Sequence, residues 1–159
     1  MKRLLQFVAV AVLVAAGASS VRAQANPLVG TWKLNTAKSK FESGPMPKSL
    51  NRKVEANGDG VKYTFDGVAA DGKAIAYGFA VTFDGKDNPV MGSMPTGADS
   101  IAAKRISPNT FEATLKKAGK VIGTSKVEVS MDGKATTVKT TGTDAAGKTV
   151  HDEQVFDKQ

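Results

Sequence analysis

Apolar side chains recur at every second position through most of the chain beyond residue 26. Val61, Tyr63 and Phe65 alternate with Lys62, Thr64 and Asp66, and Ile75, Tyr77, Phe79, Val81 and Phe83 alternate with small residues. Phe111, Ala113 and Leu115 alternate with Glu112, Thr114 and Lys116. A period of two is the strand period, and no long helical stripe interrupts it. The pattern predicts strands at 27–34, 49–56, 61–67, 73–83, 99–106, 109–117, 120–130, 135–143 and 148–157. Turn chemistry separates them: Asn57-Gly58-Asp59-Gly60, Asp71-Gly72-Lys73, Asp84-Gly85-Lys86, Ala118-Gly119-Lys120, Asp132-Gly133-Lys134 and Ala146-Gly147-Lys148. Glycine accepts the positive φ of a tight hairpin, and aspartate hydrogen-bonds its own turn. Short links between sequential strands make an all-β, antiparallel up-and-down meander. About 8–10 such strands with one large-residue face close into a single barrel, because closure removes exposed edges.

Two stretches break the alternation. Asn35 to Lys48 contains Pro45 and Pro47 and has room for one short helical turn near 36–41. Asp87 to Gly97 contains Pro89, Gly92 and Pro95 with Met91 and Met94, and reads as an irregular connection at the barrel rim or as a surface loop.

The first 25 residues follow a different pattern. Lys2 and Arg3 precede the apolar or small run Leu4–Ala18, and Ala23-Gln24-Ala25 offers a small-residue cleavage site. This is the layout of a secretory signal, so residues 1–25 are expected to be removed and 26–159 to form the domain. The run is short of the roughly 20 apolar residues that a membrane span needs. The product is therefore expected to be periplasmic or secreted, without stable membrane insertion. Composition then changes in meaning. The formal charge of +7 includes three basic residues in the leader, leaving +4 on the domain. With 17 lysines scattered over turns and outward positions and only Arg52 and Arg105 as arginines, the domain lacks the clustered basic surface of a nucleic-acid binder. The chain has no cysteine and one histidine, which excludes disulfides and cysteine chemistry and argues against a transition-metal site or other cofactor. A monomer is expected.

At the first strand the sequence reads Leu28-Val29-Gly30-Thr31-Trp32-Lys33-Leu34. A glycine two residues before a tryptophan, opening an antiparallel meander, resembles the G-x-W pattern of the calycins, the superfamily of lipocalins and intracellular fatty-acid-binding proteins. The domain also resembles small exported bacterial lipocalin-like proteins. The resemblance implies a calycin-like β-barrel with an interior pocket and Trp32 plugging its closed end. Fatty-acid-binding proteins clamp a ligand carboxylate with an arginine and a tyrosine two positions apart on the last strand. Gln154 and Phe156 stand there in this chain, and Asn35–Lys48 is too short for their helix-turn-helix lid. The resemblance therefore implies a barrel and a pocket without that clamp.

Candidate chemistry comes from polar residues that share a parity with apolar neighbours. Arg52 lies between Leu50 and Val54, and Asp152 and Gln154 lie between Val150 and Phe156. Three readings follow. Arg52 and Asp152 form an interior ion pair, since a lone buried charge is costly. Alternatively Arg52 and Gln154 anchor an anionic or carbonyl group in an aromatic pocket, or a bulge turns these side chains outward. Arg105 is a weaker candidate. Tyr63, Tyr77, Phe79 and Phe111 would line the interior, as simple core or as cavity wall. His151 falls on the outward parity, away from Asp152, and no nucleophile sits beside a base. The expected function is binding of a small apolar or amphipathic ligand, with no catalytic residue. The competing readings are a filled barrel acting through its surface, and a cofactor-free enzyme using Asp152 as acid or base.

Overall fold

The computed structural model describes residues 26–143 and 148–159. The expected leader and Ala146-Gly147 of the last predicted turn lie outside them. Ten strands follow one another: β1 (Gly30–Leu34), β2 (Ser49–Asn57), β3 (Gly60–Val68), β4 (Ala74–Val81), β5 (Asp84–Gly92), β6 (Ser100–Ser107), β7 (Thr110–Lys117), β8 (Lys120–Val129), β9 (Ala135–Thr143) and β10 (Thr149–Lys158). Each pairs antiparallel with its neighbour in sequence, and β1 pairs with β10 through Trp32 opposite Lys158 and Leu34 opposite Phe156, closing the barrel. The predicted all-β closed meander is what the chain forms.

One strand was hidden from the hydrophobic pattern. The predicted strand 73–83 ends at Val81; the chain reverses at Thr82-Phe83, where Phe83 takes a φ of +58°, and β5 runs through 84–92. Asp84-Gly85-Lys86 is thus not the hairpin turn but the start of β5, with a register shift between Asp84 and Asp87. Most of the stretch 87–97 is strand, and its irregular part is 93–97.

Pro89 is tolerated for a geometric reason. The Val90 amide donates to the Asp99 carbonyl on the β6 side, so the Pro89 nitrogen faces β4. Pairing with β4 covers only Gly92, Met91 and Val90, so proline's missing N–H removes no ladder bond there.

Strand direction defines two ends. The hairpins after β2, β4, β6 and β8 lie with the start of β1 at one end, which Leu28 and Trp32 seal; both are completely buried, and the Trp32 indole donates to the Leu28 carbonyl at 2.8 Å. The segment 35–48 and the hairpins after β3, β5 and β7 lie at the other end, the mouth. β1 has five residues against ten in β10, so part of the β10 edge has no strand to pair with. The segment 35–43 covers it. The Asn35 amide donates to the Val155 carbonyl, Lys40 and Glu153 exchange backbone hydrogen bonds of 2.7 Å each, and the buried Ser39 hydroxyl accepts from the Val155 amide. Within this strap residues 36–38 form a turn and the chain bends from 42.

Candidate ligand site

Residues of β2–β4 and β6–β10, with loop residues at the mouth, enclose a cavity of about 720 Å³. The barrel is not filled. One wall is aromatic. Phe65 stacks on Tyr77 with centroids 4.4 Å apart, Tyr63 meets Phe79 at 4.8 Å, and Phe83 meets Phe111 at 5.0 Å. Offset and tilted ring pairs of this kind add about 0.5–1.5 kcal/mol each beyond their burial. The opposite wall, from β8 to β10, mixes polar side chains with Ile122, Val127, Val138 and Val150. Ser125 and Thr140 share a hydrogen bond of 2.8 Å, and Gln154 and Asp152 also border the cavity. At the mouth Phe41, Pro45 and Pro47 of the strap face Met94 and Pro95 of the 93–97 connection across the cavity rim.

Arg52 lies toward the closed end, paired across the sheet with Trp32 on one side and Phe65 on the other. It is 2% exposed and is the one charged side chain among the buried described residues. Its guanidinium lies 4.4 Å from the Phe156 ring centroid and 5.3 Å from that of Trp32, and it donates to the Thr136 hydroxyl. Its Nε–H has no hydrogen-bond partner. The ring faces attract the cation but accept no strong hydrogen bond, so the buried Nε–H is left without an acceptor. Burial pulls the Arg52 pKa down to about 10, against the usual 12.5. The same burial pushes Tyr63 up to about 12 and raises Tyr77 also, with the Arg52 charge acting in the opposite direction on both.

The expected ion pair between Arg52 and Asp152 does not form. Asp152 shares the predicted inward parity and borders the cavity, but it sits at the mouth. Its carboxylate accepts from the backbone N–H groups of Glu42 and Ser43 at 2.8 and 3.0 Å and from the Ser43 hydroxyl. It holds the strap in place, which removes the basis for a free carboxylate acid or base. Glu42 completes the link by accepting from the His151 amide at 3.0 Å. His151 is exposed, as its parity predicts, with its Nδ1 3.1 Å from the Thr141 hydroxyl.

Arg105 is exposed on the Phe111 ring and donates to the Pro108 carbonyl, so it takes no part in the cavity polar set. Tyr63, Tyr77, Phe79, Phe111 and Gln154 border the cavity, and Trp32 is completely buried at the closed end. Thr136, Ser125, Thr140 and the strap residues were missed, because small hydroxyl side chains at inward positions leave no trace in a hydrophobic period.

The chain forms a closed, hollow ten-strand meander opened by Gly30-x-Trp32, the barrel form that the sequence resemblance implies. No protein-family model matches the chain, and no curated protein matches it either. Among solved structures the chain is similar to zebrafish ileal bile acid-binding protein complexed with cholic acid: 15% identity over 84% of this chain and 99% of that one, TM-score 0.51. Weaker matches are lobster apocrustacyanin A1 (12% identity, 86% of this chain and 63% of that one, TM-score 0.45) and the siderocalin Ex-FABP (10% identity, 84% and 71%, TM-score 0.37). At such identities the likeness is one of fold.

Proposed function

We propose that this chain is an exported binding protein that holds one small, largely apolar molecule inside its barrel. The observation that carries the reading is the hollow interior: about 720 Å³ lined on one side by Tyr63, Phe65, Tyr77, Phe79 and Phe111. That volume is in the range of ligand pockets, roughly 300–1,000 Å³. A barrel selected for stability alone would fill the space, because each unfilled methyl-sized void costs about 1 kcal/mol. The ligand enters between the strap and the 93–97 connection, and Arg52 or Gln154 supplies its polar contact. Binding of cholic acid by the zebrafish protein of similar fold is consistent with this use of the interior. Export is supported by the basic start, apolar run and small-residue end of Met1–Ala25.

Mass spectrometry of the protein purified from its own compartment tests both parts. The intact mass should lack about the first 23–25 residues, and solvent extraction should release one apolar compound in near-stoichiometric amount. An empty protein that also fails to brighten a neutral apolar dye rejects the binding reading, and a full-length mass rejects export.

A further inference from the structure

We infer that the cavity is a receptor for a single negative charge: its ligand is a monoanion, a carboxylate or sulfonate on an apolar body, bound with the acid end inward against Arg52. This rests on the interior-binding reading and goes further by naming the ligand's charge and orientation. Arg52 is 2% exposed, and no ion pair in the described residues involves it. Asp152, the carboxylate that shares its inward parity, is committed to the strap at the mouth. Thr136 accepts one guanidinium N–H and the Nε–H is left without an acceptor. Burying a cation in this way costs several kcal/mol, and an incoming oxyanion offsets that cost with charge-assisted hydrogen bonds.

Charge counting sets the ligand's valence. A neutral molecule leaves the guanidinium uncompensated, and a dianion brings a second charge to a cavity whose buried surroundings hold no second cation. Tyr63 and Tyr77 stay protonated in this setting and present phenolic O–H donors to the same cavity. Position sets the orientation. Arg52 pairs with Trp32, the plug of the closed end, so an acid reaching it leaves its apolar body along the aromatic wall toward Phe41 and Met94. The last-strand positions of the fatty-acid-binding clamp hold Gln154 and Phe156, so this charge enters the barrel from a different strand, β2.

Two dyes with nearly the same aromatic body test the inference on the purified protein: 1-anilinonaphthalene-8-sulfonate, a monoanion, and N-phenyl-1-naphthylamine, which is neutral. The wild-type protein should bind the sulfonate at least about tenfold more tightly. In Arg52→Met the preference should collapse to about one, and Arg52→Lys should restore part of it. Equal affinities in the wild-type protein overturn the inference and leave the binding reading standing. An undiminished preference in Arg52→Met also overturns it. Binding of neither dye sinks the binding reading itself. The wild-type comparison decides the matter even if a variant does not fold.

Discussion

Asp152 and Arg52 sit on the same inner surface and were equally plausible partners for one another, yet the barrel treats them in opposite ways. Asp152, at the mouth, accepts three hydrogen bonds from the strap. Arg52, at the floor, is buried among rings with a single hydroxyl as acceptor. Inward parity alone does not distinguish a structural polar group from a receptor. Satisfaction does, because a group whose hydrogen bonds are met has no free energy to gain from a ligand, and a buried unmet one has several kcal/mol.

The largest effect expected is at the floor. Trp32 is completely buried and its indole N–H is satisfied by Leu28. Trp32→Ala should cost about 3–5 kcal/mol in urea unfolding, the range for large aromatic truncations in a core. A loss below 1 kcal/mol would mean that the closed end is not packed as a plug and that Arg52 is not held against it.

Next in size, and of opposite sign, is Arg52→Met. Replacing a buried charge with an apolar side chain of similar volume is often neutral or stabilising by about 1–4 kcal/mol. The ligand-free variant should therefore unfold at higher urea than the wild type while losing its preference for an anion. Marked destabilisation would show that Arg52 serves the fold, through Thr136 and the two rings. Asp152→Ala should go the other way, costing about 1 kcal/mol from the loss of partly exposed hydrogen bonds. Stopped-flow dye binding should show faster association and faster release in this variant, with a small change in affinity, because the strap covers the mouth without anchoring the ligand. A large loss of affinity with unchanged release would reverse the roles assigned to the two residues.

Much of this architecture was legible in the sequence where side-chain size alternates. β3, β4 and β7 announce themselves through Tyr63, Phe79 and Phe111, and the inward position of Arg52 follows from Leu50 and Val54 flanking it. β5 was illegible because it has little of its own to show: Val90 is its one partly buried apolar contact with the core cluster, and Pro89 reads as a breaker unless one knows which way its nitrogen faces. Its strand character is imposed by β6. The hydroxyl side chains of the opposite wall were illegible for another reason. Thr136, Val138, Thr140 and Gly142 share one face of β9, but threonine is as common outside a barrel as inside, so its periodicity carries no sign. That Asp152 would be claimed by Glu42 and Ser43 required knowing where a 14-residue irregular segment runs, and this depends on the short β1 leaving the β10 edge open.

The smallest effect is spectroscopic, and it reads the floor directly. The chain has two tyrosines and both line the cavity, so phenolate absorbance reports the site alone. Burial raises Tyr63 from 10.0 to about 12 and raises Tyr77 as well, which means the folded protein holds both protons longer than the unfolded chain. Stability from these groups is therefore full below pH 10 and is lost as pH rises through about 12. Arg52 acts with the reverse sign: its folded value is lowered from 12.5 to about 10, so the cost of burying its charge fades over that interval as pH rises. Absorbance near 295 nm should stay flat up to about pH 11, where an unburied tyrosine is mostly ionised, and then rise together with unfolding. A tyrosine that titrates near pH 10 in the folded wild type would show that water reaches the aromatic wall freely. The guanidinium beside it would then be solvated, and the contrast between floor and mouth would vanish.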